Sequence, residues 1–151
     1  MTDTYEGGCQ CGGCRYRVRG TVLTLFACYC KECQKQTGSA FSMALWIKTE
    51  AEEVLSGRLG RWTRLTPSRR TLICEFCLDC GTRLFHRHAD RTGILSIKPG
   101  TLDDTSWLKP VGHIWLRSAQ PWSGLEGDCL RYDANPDDIA ALISAWGAQS
   151  S

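Results

Sequence analysis

Long apolar runs are missing from this chain of 151 residues. No stretch approaches the roughly 18 residues that a bilayer-spanning helix needs, and the nearest candidates are broken by Lys48 and by the polar residues around Glu53. No membrane association is expected. An excess of charge is lacking too. Lysine and arginine number 18 against 16 aspartates and glutamates, a net charge of +2, which makes no general case for a nucleic-acid partner. Proline is scarce at 5 against 15 glycines, so short elements joined by tight turns are expected. No linker, low-complexity tract or charge block divides the chain, and its length suits one hydrophobic core better than two. One domain over residues 1–151 is expected. The opening MTDTYEGG carries Asp3 and no apolar segment behind a basic start, so it reads as neither a signal nor a transit peptide. A cytoplasmic location follows as the expectation.

Cysteine, by contrast, is plentiful, with 10 residues. In a reducing compartment persistent disulfides are disfavoured, so metal ligation is the better first reading. The spacings sort the thiols into groups: Cys9, Cys11 and Cys14 form C-x-C-x2-C, Cys28, Cys30 and Cys33 repeat it, Cys74, Cys77 and Cys80 form C-x2-C-x2-C, and Cys129 stands apart.

The hydrophobic pattern describes the frame that carries them. Short apolar or alternating runs at Cys14–Arg19, Phe41–Ile47, Leu59–Leu65, Thr71–Phe76, Arg83–His88 and Gly93–Ile97 predict a mainly β, antiparallel domain, with the first run ending at Gly20 and a turn at Pro67–Ser68. The period changes in NPDDIAALISAWG. Asn135 is placed to cap a helix, Pro136 to occupy its first position, and Asp137 and Asp138 to sit at its positive end. Ile139, Leu142, Ile143 and Trp146 share one face, and Gly147 can stop the helix. This predicts a short C-terminal helix packed on the sheet, with no catalytic role.

The strongest local metal signal is CLDCG from Cys77 to Gly81, because a C-x2-C pair turned by glycine points two sulfurs and several backbone amides at one ion. A redox dithiol or an iron–sulfur ligand set are the alternatives. The partner knuckle for Cys77 and Cys80 is expected at the glycine-flanked Cys9 and Cys11, closing one site. Cys28, Cys30 and Cys33 then remain as three thiolates on a second ion with one position open. Three thiolates make Zn²⁺ a poor Lewis acid but leave it able to take a fourth thiolate, which favours chemistry on a small thiol over hydrolysis. Closure of that site by Cys14, Cys74, Cys129 or a histidine would instead make both ions structural.

The stretches GGCQCGGCRY (Gly7–Tyr16), CYCKECQKQTGS (Cys28–Ser39) and EFCLDCGTRLF (Glu75–Phe85), with a weaker KPGTLDD (Lys98–Asp104), resemble the glutathione-dependent formaldehyde-activating enzyme family, which shares its domain with a centromere-associated protein. The resemblance implies an Mss4-like fold of zinc-bound, twisted antiparallel β-sheets and two zinc ions per chain. Cys9, Cys11, Cys77 and Cys80 are then the structural ligands, and Cys28, Cys30 and Cys33 the catalytic ones. It also implies a carbon–sulfur lyase, S-(hydroxymethyl)glutathione synthase-like, whose partners are glutathione or its adduct and a small aldehyde. In that picture the glutathione sulfur takes the open position and attacks the aldehyde carbon while a donor or water protonates the oxygen.

Two positions depart from the family pattern: Tyr29 stands where histidine is common, and Gln34 where a basic residue is. Both bear on how sulfur and substrate are oriented. Cys74 shares a strand face with Leu72 and Phe76 and is expected to be buried as a small hydrophobe. Arg58, Arg61, Arg64, Arg69 and Arg70 offer donors for the carboxylates of glutathione, with a solvated face as the plainer reading. Gly38 and Ser39 could place an amide and a hydroxyl over the substrate, or simply form a turn. The tryptophans Trp46, Trp62, Trp107, Trp115 and Trp122 are expected in the core or pocket walls, and His113 as a satisfied structural histidine. A zinc-stabilised binding module, both metals structural, is the competing account.

Overall fold

The computed structural model describes residues 1–125 and 127–150. The chain is mainly β. Its strands are β1 (Asp3–Gly8), β2 (Arg15–Cys28), β3 (Ser42–Ser56), β4 (Leu59–Leu65), β5 (Thr71–Cys77), β6 (Arg83–His88), β7 (Ile94–Ile97), β8 (Gly112–Ile114) and β9 (Leu130–Arg131). Among the described residues the α-helices are α1 (Lys31–Thr37) and α2 (Ala140–Ser150). No helix among the described residues is long and apolar enough to cross a membrane. Contacts gather the chain into two compact units, one from Met1–Val22 and Leu45–Trp107, the other from Leu23–Ala44 and Leu108–Ser151. Strands β2 and β3 each run from one into the other.

In the first unit the strand order is β4-β5-β6-β7-β3-β2, with β1 also on β2, and β1 with β2, β3 with β7, β4 with β5, β5 with β6 and β6 with β7 pair antiparallel. Alternation places Tyr16 and Val18 of β2, Leu45 and Ile47 of β3, Leu84 of β6 and Leu95 and Ile97 of β7 in its core. Each such side chain contributes about 1.5–3 kcal/mol on burial. Strand β2 does not stop at Gly20, as the sequence predicts. A Cβ there would sit 2.3 Å from the Lys48 carbonyl oxygen, so this glycine admits the neighbouring β3 backbone instead of turning the chain. On exposed surfaces Arg17 pairs with Glu6 and Glu53 and Arg19 with Glu50, contacts worth at most about 1 kcal/mol each.

The second unit departs from the antiparallel expectation. The end of β2 pairs in parallel with β8, Phe26 opposite Gly112 and Cys28 opposite Ile114, and β8 pairs in parallel with β9. Parallel neighbours need a long crossover, supplied here by the 83 residues between Cys28 and Gly112, and a hydrophobic period carries no strand direction. Helix α2 packs through Leu142, which is fully buried, over the bare Cα of Gly112, and Thr24 donates its hydroxyl to the Leu142 carbonyl at 3.0 Å. The helix begins at Ala140, four residues past the predicted first turn at Pro136. The Asn135 side chain is engaged elsewhere, accepting the Trp115 indole N–H at 2.7 Å, and Asp138 accepts the Ala140 amide in its place. Gly147 lies inside α2 and does not end it.

A half-buried titratable group distinguishes the first unit. His86 of β6 lies between Cys74 and Ser96 in the pairing registers, and its Nε2 accepts a 3.0 Å hydrogen bond from the Arg83 guanidinium, so the ring is neutral. Burial first, then the charges of Lys98, Arg83 and Arg64, push its pKa down to about 2. The unfolded chain, with a histidine near 6.5, therefore binds a proton that the native chain refuses, and stability falls as pH drops below that value. Between pH 7 and pH 5 this linkage should remove about 2 kcal/mol. Urea unfolding at the two pH values should show a loss larger by that amount in the native sequence than in His86→Gln, and equal losses would contradict a neutral His86.

Candidate metal centres

Two turns of the first unit bring four sulfurs together. Cys9 and Cys11 lie in the hairpin between β1 and β2, and Cys77 and Cys80 in the turn between β5 and β6. In each turn the amide of a glycine closes on the first cysteine carbonyl, Gly12 on Cys9 at 3.1 Å and Gly81 on Cys77 at 2.9 Å. Both glycines have φ of 78°, a left-handed backbone that side-chain-bearing residues rarely adopt. Backbone amides also point at sulfur: Cys14 N–H donates to Cys9 Sγ at 3.1 Å and Gly13 N–H to Cys11 Sγ at 3.4 Å. The Thr82 hydroxyl oxygen accepts the Gln10 amide and lies 3.2 Å from Cys80 Sγ, tying one turn to the other.

The four sulfurs lie within 4.8 Å of one another. The Cys9–Cys11 separation is 3.4 Å and the Cys11–Cys77 separation 3.9 Å. Four sulfurs arranged tetrahedrally at about 2.3 Å from an ion stand about 3.8 Å apart, so the donor set fits such an ion. Its protons are unevenly held. The Thr82 hydroxyl, then the amides of Thr82 and Cys11, hold Cys80 down at about 5. Cys11, although it accepts from the Gly13 amide, is pushed up to about 12 by its neighbours Cys9 and Cys80. Thiolates this close repel one another, and a divalent cation is the countercharge that lets all four ionise.

The second unit holds the other cluster. Cys28 ends β2, Cys30 caps α1 and Cys33 lies in its first turn. Their sulfurs also lie within 4.8 Å of one another. The helix brings Cys33 back toward Cys30, whose sulfur accepts the Cys33 amide at 3.3 Å. Contact with the Cys28 and Cys33 thiols, with help from the amides of Cys33 and Glu32, lowers the Cys30 thiol to about 2, while the same contacts raise Cys28. Among the described residues no fourth cysteine, histidine or carboxylate joins the three. Cys14 is buried, and its thiol lies 3.5 Å from the Arg58 carbonyl. Cys74 is fully buried in β5. Cys129 is half-buried, close enough to Tyr29 to raise that phenol's pKa after burial has done so first.

The two departures from the family pattern are both engaged. Tyr29, buried between two cluster cysteines, donates its amide to the Ile114 carbonyl, stacks at 5.3 Å on Phe41 and hydrogen-bonds through its hydroxyl to His113 Nδ1 at 3.0 Å. Burial, then Arg131, lowers the pKa of His113. Gln34 of α1 donates to the carbonyls of Tyr29 and Ser118 at 2.8 and 3.0 Å. The arginines offered for carboxylate binding lie in the first unit, where Arg61 pairs with Glu75 and Arg70 with Asp90. Sequence reasoning missed Gln120, which donates to Gln34 Oε1 at 3.2 Å. The two are 86 residues apart and no motif joins them.

The fold and its clusters define a mainly β protein with two thiolate sites that could each hold a metal ion. A family model described as glutathione-dependent formaldehyde-activating enzyme matches residues 4–118, and the chain belongs to that family. A Penicillium rubens protein provisionally named as a glutathione-dependent formaldehyde-activating enzyme is 24% identical over 99% of this chain and 78% of its own length. A solved Rhodobacter sphaeroides protein, 20% identical, aligns with a TM-score of 0.50 over 73% of this chain and 92% of its own, a likeness of fold.

Two metal equivalents per chain are expected by elemental analysis after anaerobic loading and desalting. Cys11→Ser and Cys30→Ser should each lose one, and acidification should release both because protons compete for the sulfurs. A single equivalent, unaffected by Cys30→Ser, would contradict the second site.

Proposed function

We propose that the protein joins glutathione to formaldehyde, giving S-(hydroxymethyl)glutathione, and runs the reverse carbon–sulfur cleavage, with zinc in both clusters. Cys9, Cys11, Cys77 and Cys80 form the structural site and Cys28, Cys30 and Cys33 the catalytic one, within a single domain spanning residues 1–151 of a cytoplasmic protein. The observation that carries this reading is the inequality of the clusters: four thiols against three. Soft thiolates select zinc or iron–sulfur among the common metals, and a set of three leaves room for the sulfur of a substrate. The family's name supplies the thiol and the aldehyde.

Zinc bound there would supply a positive charge that lowers the proton affinity of the substrate thiol while keeping its sulfur nucleophilic. The chain's own residues do the rest. Cys28 at a strand end, Cys30 at a helix cap and Cys33 one turn on fix three sulfurs on unlike backbone elements, so their spacing does not depend on a flexible loop. Gln34 donates to the Tyr29 carbonyl and the Tyr29 amide to the Ile114 carbonyl, holding the backbone between Cys28 and Cys30, which would limit reorganisation as the substrate enters. In the reaction the sulfur forms a bond to the aldehyde carbon, the carbonyl π pair moves to oxygen, and the thiol proton ends on that oxygen. No oxidant or reductant is needed.

Exchange NMR between formaldehyde and the hydroxymethyl adduct tests the proposal against the unaided condensation. Zinc-loaded protein should accelerate exchange, and Cys33→Ser should abolish the gain while its melting temperature falls by only a few degrees. Cys80→Ser should lose roughly 3 kcal/mol or more, about 10 °C in Tm, because it opens the clamp between distant turns. Acceleration surviving in Cys33→Ser, or equal destabilisation by both substitutions, would overturn the assignment.

A further inference from the structure

One face of the first unit gathers arginines. Registers set Trp62 of β4 beside Cys74 of β5, Cys74 beside His86 of β6, and His86 beside Ser96 of β7, so these four residues form a row across one face of the sheet. Arg64 stands two residues from Trp62 and shares that face. Arg83 lies three residues from His86, and plain alternation would point it to the other side. A register shift between Glu75 and Phe76 reverses this. Phe85 stands opposite Glu75, and the next residue, Phe76, stands opposite Arg83, with Leu84 passed over. The bulge turns Arg83 onto the face of His86, the re-aiming of a side chain that bulges perform beside functional sites.

Arg83 is held there without being neutralised. Its guanidinium donates to His86 Nε2 at 3.0 Å and lies 5.7 Å from the Trp62 ring centroid and 5.9 Å from that of Phe76. A carboxylate in place of His86 would fix the same geometry and cancel the charge. A neutral imidazole fixes it and leaves the charge for another anion. The charges that bear most on His86 are Lys98, Arg83 and Arg64, the same three bear on Cys74 beside it, and all are positive. Among the described residues neither Arg64 nor Arg83 belongs to an ion pair, whereas Arg61, Arg70 and Arg87 nearby in the same sheet do. Arg64, Arg83, His86 and Lys98 are half-buried, within reach of a ligand, and Trp62 is 50% exposed.

We propose that this face binds a mononucleotide, its phosphate received by Arg64 and Arg83 with Lys98 adding charge, and its base stacked on Trp62. His86 is a positioning residue for Arg83. A planar guanidinium with N–H donors to spare meets two phosphate oxygens at once, and a half-exposed indole offers a flat apolar wall to a base. Among the described residues Trp62 is the one exposed aromatic ring on this face, so it serves a single base. A strand of nucleic acid calls for successive platforms, and the net charge of +2 adds no general attraction for one. The site lies wholly within the first unit and does not rest on the thiol–aldehyde reaction, whose three sulfurs belong to the second.

Adenosine monophosphate is the probe. Titrated into zinc-loaded protein at low salt, it should bind saturably by calorimetry and quench tryptophan emission, with adenosine and inorganic phosphate each at least about tenfold weaker. Arg64→Gln/Arg83→Gln should weaken binding about tenfold or more, and Arg83→Lys, which keeps the charge but loses the fork, nearly as much. Trp62→Leu should weaken it about tenfold and remove the quench. His86→Leu should weaken it with metal content unchanged, and His86→Gln, which still offers Arg83 an acceptor, should restore it. Lys109→Gln, a charge removed elsewhere, should leave the affinity within about twofold. S-Methylglutathione should not displace the nucleotide. Absence of saturable binding, affinity within about twofold in the double arginine variant, or displacement by S-methylglutathione would overturn the inference. Binding of a short single-stranded oligonucleotide about a hundredfold tighter than the monomer would overturn the assignment to a free nucleotide.

Discussion

Mutual repulsion among crowded sulfurs is the constraint around which this protein is built. Seven cysteine sulfurs are confined to two clusters, each with its members within 4.8 Å of one another. A thiol in such company cannot ionise freely, which is why Cys9 and Cys80 push Cys11 up to about 12 against the Gly13 amide, while the Thr82 hydroxyl and the amides of Thr82 and Cys11 hold Cys80 down at about 5. A divalent cation relieves the conflict, and its binding free energy becomes folding free energy wherever the ligands come from distant turns. The first cluster meets that condition, since Cys11 and Cys77 lie 66 residues apart. The second does not, because Cys28, Cys30 and Cys33 lie within six consecutive residues. The proposed division of labour follows that difference: an ion in the first cluster would clamp the fold, and one in the second would remain available to a substrate.

What prepares each cluster is local backbone. Left-handed glycines close the two turns of the four-thiol set, and amides of Gly13 and Cys14 aim at its sulfurs. The three-thiol set instead exploits the end of β2 and the cap of α1, where Cys30 takes an extended conformation and receives the Cys33 amide. Tyr29 and Gln34 are each engaged in hydrogen bonds beside that set. Both side chains therefore help to hold the local frame around the three sulfurs.

Much of this was legible in the sequence, for identifiable reasons. Strands β4 and β6 occupy the segments that alternation marked, Leu59–Leu65 and Arg83–His88, and the Cys28, Cys30, Cys33 group set by spacing is found as one cluster, while Cys14 and Cys74, which spacing also grouped, lie outside both. Legibility fails where the decisive partner is remote. Gly20 reads as a terminator until the β3 backbone is seen against it. Asn135 reads as a helix cap until Trp115 is seen to occupy it. The parallel pairing of β2 with β8 leaves no trace in a period-two pattern, and the hydrogen bond from Gln120 to Gln34 joins residues 86 positions apart without any motif.

The central claim is that the three-thiol cluster holds a metal able to accept an external thiol while the four-thiol cluster does not. Cobalt-substituted protein, titrated anaerobically with glutathione and followed through its visible and thiolate-to-metal bands, reads that difference directly. The account predicts a saturable spectral change that reaches one glutathione per chain and disappears in Cys33→Ser, whose remaining cobalt is in the four-thiol site. An unchanged spectrum with two cobalt ions bound would contradict it and leave both ions as supports of the fold.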